Sequence, residues 1–270
     1  MKYRNDLKYY IKADQLTPIG QFDDGIFESG ESVYEVVRIY NGKPLFLMEH
    51  LYRMQHSLDV IYGNFNCSKS ALEDDLYLLI KANKIREGNI KIELRKESKH
   101  FLRLLYFIPH RYPTPAQFQN GIQMRFQFDE RPNPNAKISN WKVRGNANSI
   151  IDEHKIYETL LVNSDGFITE GSRSNIFFIK DEKLYSAPEE WILPGITRSK
   201  VLDICHSLNL EIIHQRIHYS DLSKFDAAFI TGTSPGVLQI LRIEDFEFMV
   251  NHALYKSILS EYRLIQDLMS

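Results

Sequence analysis

"TLLVNSDGFITEGSRSNIFFI", residues 159–179, holds three apolar runs separated by turn residues. Asp165-Gly166 falls where a tight reversal is needed, so the first two runs read as a β-hairpin and NIFFI as a third strand. Further on, WILPGITRSK (residues 191–200) puts a proline and a glycine at the entrance of a helix. The chain then returns to strand in EIIHQRI and AAFITGT, and upstream IQMRFQF alternates strictly. Strand follows strand without a steady β–α alternation. That pattern predicts an α+β fold rather than a doubly wound sheet.

The first part of the chain carries its own set of elements. SVYEVVRIYNGKPLF reads as two strands around Asn41-Gly42. In the next segment Leu51, Met54, Leu58 and Ile61 fall on one helical stripe, and Leu72, Leu76 and Leu79 repeat the pattern in a second helix. NIKIELR and LRLLYFI are strands. IPHRYPTPAQFQNG then brings three prolines and ends at Gly121, the composition of a linker. The expected organisation is a small N-terminal domain at 1–112, a linker at 113–121 and a larger domain at 122–270.

Composition narrows the function. The chain has 270 residues, 43% of them hydrophobic and 25% charged, enough to bury a core. A formal charge of −2 calls for neither nucleic acid nor an anionic membrane. No apolar run approaches the roughly 18 residues that span a bilayer, and the start lacks the apolar core of a secretion signal. Cys67 and Cys205 match no metal spacing and read as reduced packing thiols in a cytoplasmic protein.

Four places could carry chemistry, and each also has an ordinary reading. Lys137 follows the turn RPNPN, where a lysine is commonly a solvated charge. Glu170 closes the hairpin strand, where it could be an edge carboxylate. His50, Arg53 and Ser57 form a polar stripe, which a solvated helix face would explain. TGTS, ending at Ser234, could be a plain hydroxyl-rich turn. The helix entrance at Gly195 adds unpaired N–H groups and a positive dipole end, a seat for a phosphate or carboxylate.

In combination these segments resemble the class IV (fold type IV) pyridoxal-phosphate enzymes, which include branched-chain and D-amino-acid aminotransferases and aminodeoxychorismate lyase. EHLYRMQHS is similar to the family's His-x-x-Arg helix, LPGITR to its phosphate cup, and TEGSRSNIFFI to its glutamate strand. GESVYEVVRIYNGK resembles its small-domain strand pair. Lys137 with Asn140 matches the family's lysine pattern, and Glu170 lies 33 positions beyond Lys137; Lys142 would give too short a spacing. The likeness runs from about Asp24 to about Ile240.

The resemblance implies a two-domain D-amino-acid-aminotransferase-like fold, pyridoxal 5'-phosphate as cofactor, and a homodimer. It implies that Lys137 forms the cofactor imine and shuttles a proton, and that Glu170 pairs with the ring nitrogen. Arg53, Gly195, Ile196, Thr197 and Thr233 would hold the phosphate, and Leu193 would pack against the ring. Tyr34, Arg95 and Ser234 are candidate substrate contacts. Trp141, Gln239 and ANSIIDEHKIYET, which lacks the family's alanine-rich helix, depart from the pattern. The expected reaction is amino transfer between an amino acid, branched-chain in type, and a 2-oxo acid. The alternative is a 4-amino-4-deoxychorismate lyase releasing pyruvate and 4-aminobenzoate; a third reading is a scaffold that has lost catalysis.

Overall fold

The computed structural model describes residues 7–22, 32–63, 65, 67–97, 100–139 and 141–269. The chain divides into two compact units. The first holds the described residues up to Arg111, with Ala136–Ser139 and the last residues from Leu268; the second holds Tyr112–Asn135 and residues 141–267.

The first unit contains β1 (Tyr9–Lys12), β2 (Gln15–Pro18), β3 (Ser32–Tyr40), β4 (Lys43–Pro44), α1 (Leu47–Tyr62), α2 (Lys69–Asn83), β5 (Gly88–Glu97) and β6 (His100–Ile108). The strands form an antiparallel sheet in the order β2-β1-β6-β5-β3-β4. β3 and β4 meet across Asn41-Gly42, both at positive φ (53° and 83°), the reversal that asparagine and glycine tolerate best. On one face Val33, Val37, Ile39, Ile90 and Ile92 pack against Leu51, Met54 and Leu58 of α1 and Leu72, Leu76 and Leu79 of α2. Ser68 caps α2, accepting from the Ala71 N–H. The alternation of β3 also places Glu35 in that apolar row, fully buried. The opposite face carries Tyr34 opposite Glu93 and Ser32 opposite Arg95.

The second unit contains α3 (Pro115–Asn120), β7 (Ile122–Phe128), α4 (Trp141–His154), β8 (Glu158–Val162), β9 (Phe167–Gly171), β10 (Asn175–Lys180), β11 (Lys183–Ser186) and α5 (Ile196–Ser207). β12 (Ile212–His214), β13 (Ile217–His218), β14 (Ala227–Gly232), β15 (Gly236–Ile243), β16 (Phe246–Glu247) and α6 (Ala253–Leu268) follow. The sheet runs β12-β11-β10-β14-β15-β7-β8-β9-β13, with β16 on β15. β8 and β9 form the hairpin expected at Asp165-Gly166, and β7 runs parallel to both β8 and β15. Mixed helices and strands with two separate sheets make this an α+β protein.

One local expectation needs correction, and two helices show how their buried faces are made. Strict alternation in β7 holds through Arg125, but Gln127 is buried and Phe128 is 69% exposed. The Gln127 amide is covered because it donates to the Val143 carbonyl of α4 and accepts from the Thr159 hydroxyl. The stretch after Lys137 forms a helix that is not alanine-rich, and Val143, Ala147 and Ile151 recur at four-residue steps and bury. Leu208 follows α5 as its C-cap. It lies just past the last turn and is 38% exposed, while Val201, Ile204 and Cys205 are buried.

Candidate active site

In the first unit the site is built on β3 and α1. Lys137 lies in irregular chain beside an isolated bridge between Ile138 and Val33. The segment is stitched along the start of β3 because that strand has unpaired main-chain groups on this edge. The Lys137 carbonyl accepts from the Tyr34 N–H at 3.0 Å, and the Ser139 N–H donates to the Ser32 carbonyl at 2.9 Å. The Lys137 N–H donates to Ser57 Oγ at 3.0 Å. Its Nζ stands 5.0 Å from the Tyr34 ring centre, within cation–π range. Asn140 lies outside the described residues.

The polar stripe of α1 is buried rather than solvated: His50, Arg53 and Ser57 are 2%, 8% and 0% exposed. Glu35 explains the burial of the charge. Arg53 donates Nε and Nη2 to the two Glu35 oxygens, each at 2.7 Å, and His50 Nδ1 donates to Oε2 at 2.7 Å. Burial pushes the Glu35 carboxyl up, but the Arg53 charge, and then His50, outweigh it and hold it far below the usual carboxylate range. Burial pushes His50 down, against the pull of Glu35, so its imidazole stays neutral near pH 7.

The opposite face of the sheet carries a second charged group. Glu93, fully buried, accepts from Ser32 Oγ, Lys91 Nζ, Arg95 Nη2 and the Tyr106 hydroxyl at 2.7–3.0 Å. Burial opposes ionisation of Glu93, but the Lys91 charge together with the hydrogen bonds from Lys91, Ser32 and Arg95 holds its carboxyl below the ordinary value. Lys91 Nζ lies 4.9 Å from the Tyr34 ring, so that ring has two ammonium groups near it. Arg95, a candidate for a substrate carboxylate, is 6% exposed and already engaged with Glu93.

In the second unit the site is built on β9, β10 and the start of α5. Glu170 is 2% exposed. Arg131 Nε reaches its Oε1 at 3.1 Å, while Asn175 Nδ2 and the Leu193 N–H both donate to Oε2 at 3.1 Å. Asn175 also donates to the Leu193 carbonyl at 2.9 Å, tying the carboxylate to the turn that enters α5. Asn135 Nδ2 pins the same stretch through the Glu189 and Ile192 carbonyls. Behind the loop, buried Glu158 accepts from Ser172 Oγ and the Arg173 N–H, fixing the turn between Glu170 and Asn175.

Gly195 is the N-cap of α5, and no side chain caps that end. The N–H groups of the first turn, including Ile196 and Thr197, are therefore left for an anion, in a setting where both residues are buried. A Cβ at Gly195 collides with Asn175 Oδ1, which is why glycine stands there. Thr231 Oγ1, at the end of β14, is buried without a hydrogen-bond partner among the described residues. Thr233 and Ser234 follow it, half-buried, in the turn to β15. An uncapped helix start, an orphaned hydroxyl and a fixed carboxylate suit a phosphorylated pyridine.

Gly195→Ala follows directly from this geometry. The added methyl displaces Asn175, and with it one donor of Glu170 and one of the Leu193 turn. Overpacking of this kind costs about 1–3 kcal/mol. The variant is expected to melt earlier and to bind pyridoxal phosphate at least about tenfold more weakly, as a loss of about 1.4 kcal/mol implies. Thermal melting and a cofactor titration check both.

Sequence reading passed over Glu35, Arg131, Glu158 and Asn175. Glu35 had a visible signal, a carboxylate in the apolar row Val33, Val37, Ile39. Arg131 had none, because its partner is brought near only by the fold. Among the described residues no group of three or more His, Cys, Asp or Glu side chains could hold a metal, and no helix is long and apolar enough to cross a membrane.

Residues 32–243 match the family model for amino-transferase class IV. The chain is 30% identical over 234 residues to the D-alanine aminotransferase of Bacillus licheniformis, covering 82% of each chain. Its fold superposes on the branched-chain amino acid aminotransferase of Escherichia coli with a TM-score of 0.84 at 18% identity, covering 96% of this chain and 95% of that one. A Legionella pneumophila protein, described provisionally as a 4-amino-4-deoxychorismate lyase, has a TM-score of 0.79 at 22% identity, covering 93% and 97%. The chain therefore belongs to the class IV aminotransferase family: it is a pyridoxal-phosphate-dependent enzyme with the α+β fold of type IV.

Proposed function

We propose that the enzyme moves an amino group between an amino acid and a 2-oxo acid, with a branched-chain amino acid as donor. The observation that carries the reading is the presentation of Lys137. Its N–H and carbonyl are both bonded, and its amine is held over the Tyr34 ring rather than in free solvent. The cofactor, when bound, supplies an electron sink conjugated to the substrate Cα. Lys137 Nζ is the base that takes the Cα proton and returns it. Glu170, oriented by Arg131, Asn175 and the Leu193 N–H, is the carboxylate for the ring nitrogen. Arg53, the first-turn N–H groups of α5, and the Thr197 and Thr233 hydroxyls hold the phosphate. Leu193 packs on the ring, and Tyr34, Arg95 and Ser234 face the substrate.

The donor preference is supported by relatives such as the Thermotoga maritima protein described as a probable branched-chain-amino-acid aminotransferase, 27% identical over 248 residues. We place the enzyme in the cytoplasm as a homodimer, with domains at 1–112 and 122–270 joined through 113–121. The test is to add single amino acids, with no oxo acid, to the cofactor-loaded protein. L-Leucine, L-isoleucine and L-valine are expected to convert the cofactor absorbance to that of the pyridoxamine form. Conversion by D-alanine alone would overturn the donor assignment. No conversion by any amino acid, with pyruvate released from aminodeoxychorismate, would overturn amino transfer in favour of the lyase.

A further inference from the structure

We propose that Ser57 is a positioning residue that sets the spacing between Arg53 and Lys137. The inference rests on the roles assigned to those two residues above. The Ser57 hydroxyl is 0% exposed and bonds in two directions. It donates to the Arg53 carbonyl at 3.0 Å and accepts from the Lys137 N–H at 3.0 Å. A serine inside a helix commonly bonds back to the carbonyl four residues earlier and goes no further. Here the second bond reaches a residue 80 positions along the chain.

Each end of this link is fixed by other contacts. The Arg53 side chain is clamped by the two Glu35 oxygens, so its direction follows its own helix turn and β3. The Lys137 carbonyl is held by the Tyr34 N–H, and the next residue bridges to Val33. Ser57 joins the helix piece to the lysine piece through a single hydroxyl. Substituting it leaves both pieces anchored to β3 but removes the bond that joins them directly.

A phosphorylated aldehyde feels that distance because it is one rigid molecule. Its phosphate goes to Arg53 while its aldehyde carbon must meet the Lys137 nitrogen. In the condensation that nitrogen bonds the carbon, and the aldehyde oxygen leaves as water with the two amine protons. An error of about 1 Å in such a geometry can cost on the order of 10²-fold. An aldehyde without the phosphate has no second anchor and is indifferent to the spacing.

The experiment compares wild type with Ser57→Ala, Ser57→Cys and Ser57→Thr, each freed of cofactor. The rate of covalent attachment is followed by absorbance with pyridoxal phosphate and, separately, with pyridoxal. Melting temperature is recorded for each variant. Ser57→Ala and Ser57→Cys are expected to lower the ratio of the two rates about tenfold or more, and Ser57→Thr to restore it to within about threefold. Cysteine is close in size to serine and a poor acceptor, so it carries the test should the alanine variant fail to fold. An unchanged ratio, or equal slowing with both aldehydes, overturns the role. Attachment in wild type to a lysine other than Lys137 overturns the functional reading itself. Attachment at Lys137 with an unchanged ratio overturns only the role of Ser57.

Discussion

Lys137→Ala is expected to abolish covalent cofactor attachment and to lower amino transfer by about 10³-fold or more, the loss that follows removal of a positioned acid–base group. The fold should survive. Lys137 is half-buried, and its contact with the Tyr34 ring is worth about 0.5–1 kcal/mol. The main-chain bonds that stitch its segment to β3 and Ser57 do not depend on the side chain. Turnover, the visible absorbance of the loaded protein and the melting temperature check the three parts together. A variant that keeps its absorbance, or turns over near the wild-type rate, contradicts the assignment. Loss of absorbance with wild-type binding of a protein partner would instead favour the scaffold reading.

Glu35→Ala is expected to give the largest loss of stability. It leaves a buried guanidinium without its carboxylate, and breaking a buried pair in this way costs about 3–5 kcal/mol. Urea unfolding of Glu35→Ala measures it. Glu35→Leu with Arg53→Met should recover much of the stability, because two apolar residues replace the pair without an orphaned charge. The recovered protein is expected to bind pyridoxal phosphate weakly, since Arg53 is gone. A Glu35→Ala protein as stable as wild type would show that the buried pair contributes nothing.

The same cluster sets the response to acid. His50 has an ordinary value of 6.5 and is lowered by burial in the fold. Below pH 6.5 the unfolded chain takes up a proton that the native imidazole refuses, so stability falls as pH drops. Glu35 acts in a second window. Its ordinary value is 4.5 and the native carboxyl lies far lower, so further stability is lost as pH falls below 4.5. Melting temperatures across this range, for wild type and His50→Gln, should show a shallower slope between pH 6.5 and 5 in the variant.

The parts of the fold written in local chemistry were legible. Asn41-Gly42 and Asp165-Gly166 marked their hairpins, the Leu51–Met54–Leu58 stripe marked α1, and Gly195 marked the start of α5. Thr114 and Gln117 form a capping box that starts the short helix α3 inside the proline-rich stretch, whose composition alone reads as a linker. The stripe His50–Arg53–Ser57 shows why burial was harder. A polar face reads as solvated unless its partner is known, and that partner, Glu35, lies on another element. The placement of Lys137 depends on main-chain bonds to β3, roughly a hundred positions earlier, which no periodicity encodes. Arg131 against Glu170 is the same kind of contact. Residue identities at the site could thus be proposed from motifs, while what orients them came only with the three-dimensional arrangement.

The central claim is that one amine, on Lys137, carries the cofactor. Borohydride reduction of the cofactor-loaded protein, followed by peptide mapping by mass spectrometry, tests it most directly. The account predicts a pyridoxyl-phosphate adduct on Lys137. An adduct on Lys142 or any other lysine, or none at all, would contradict it.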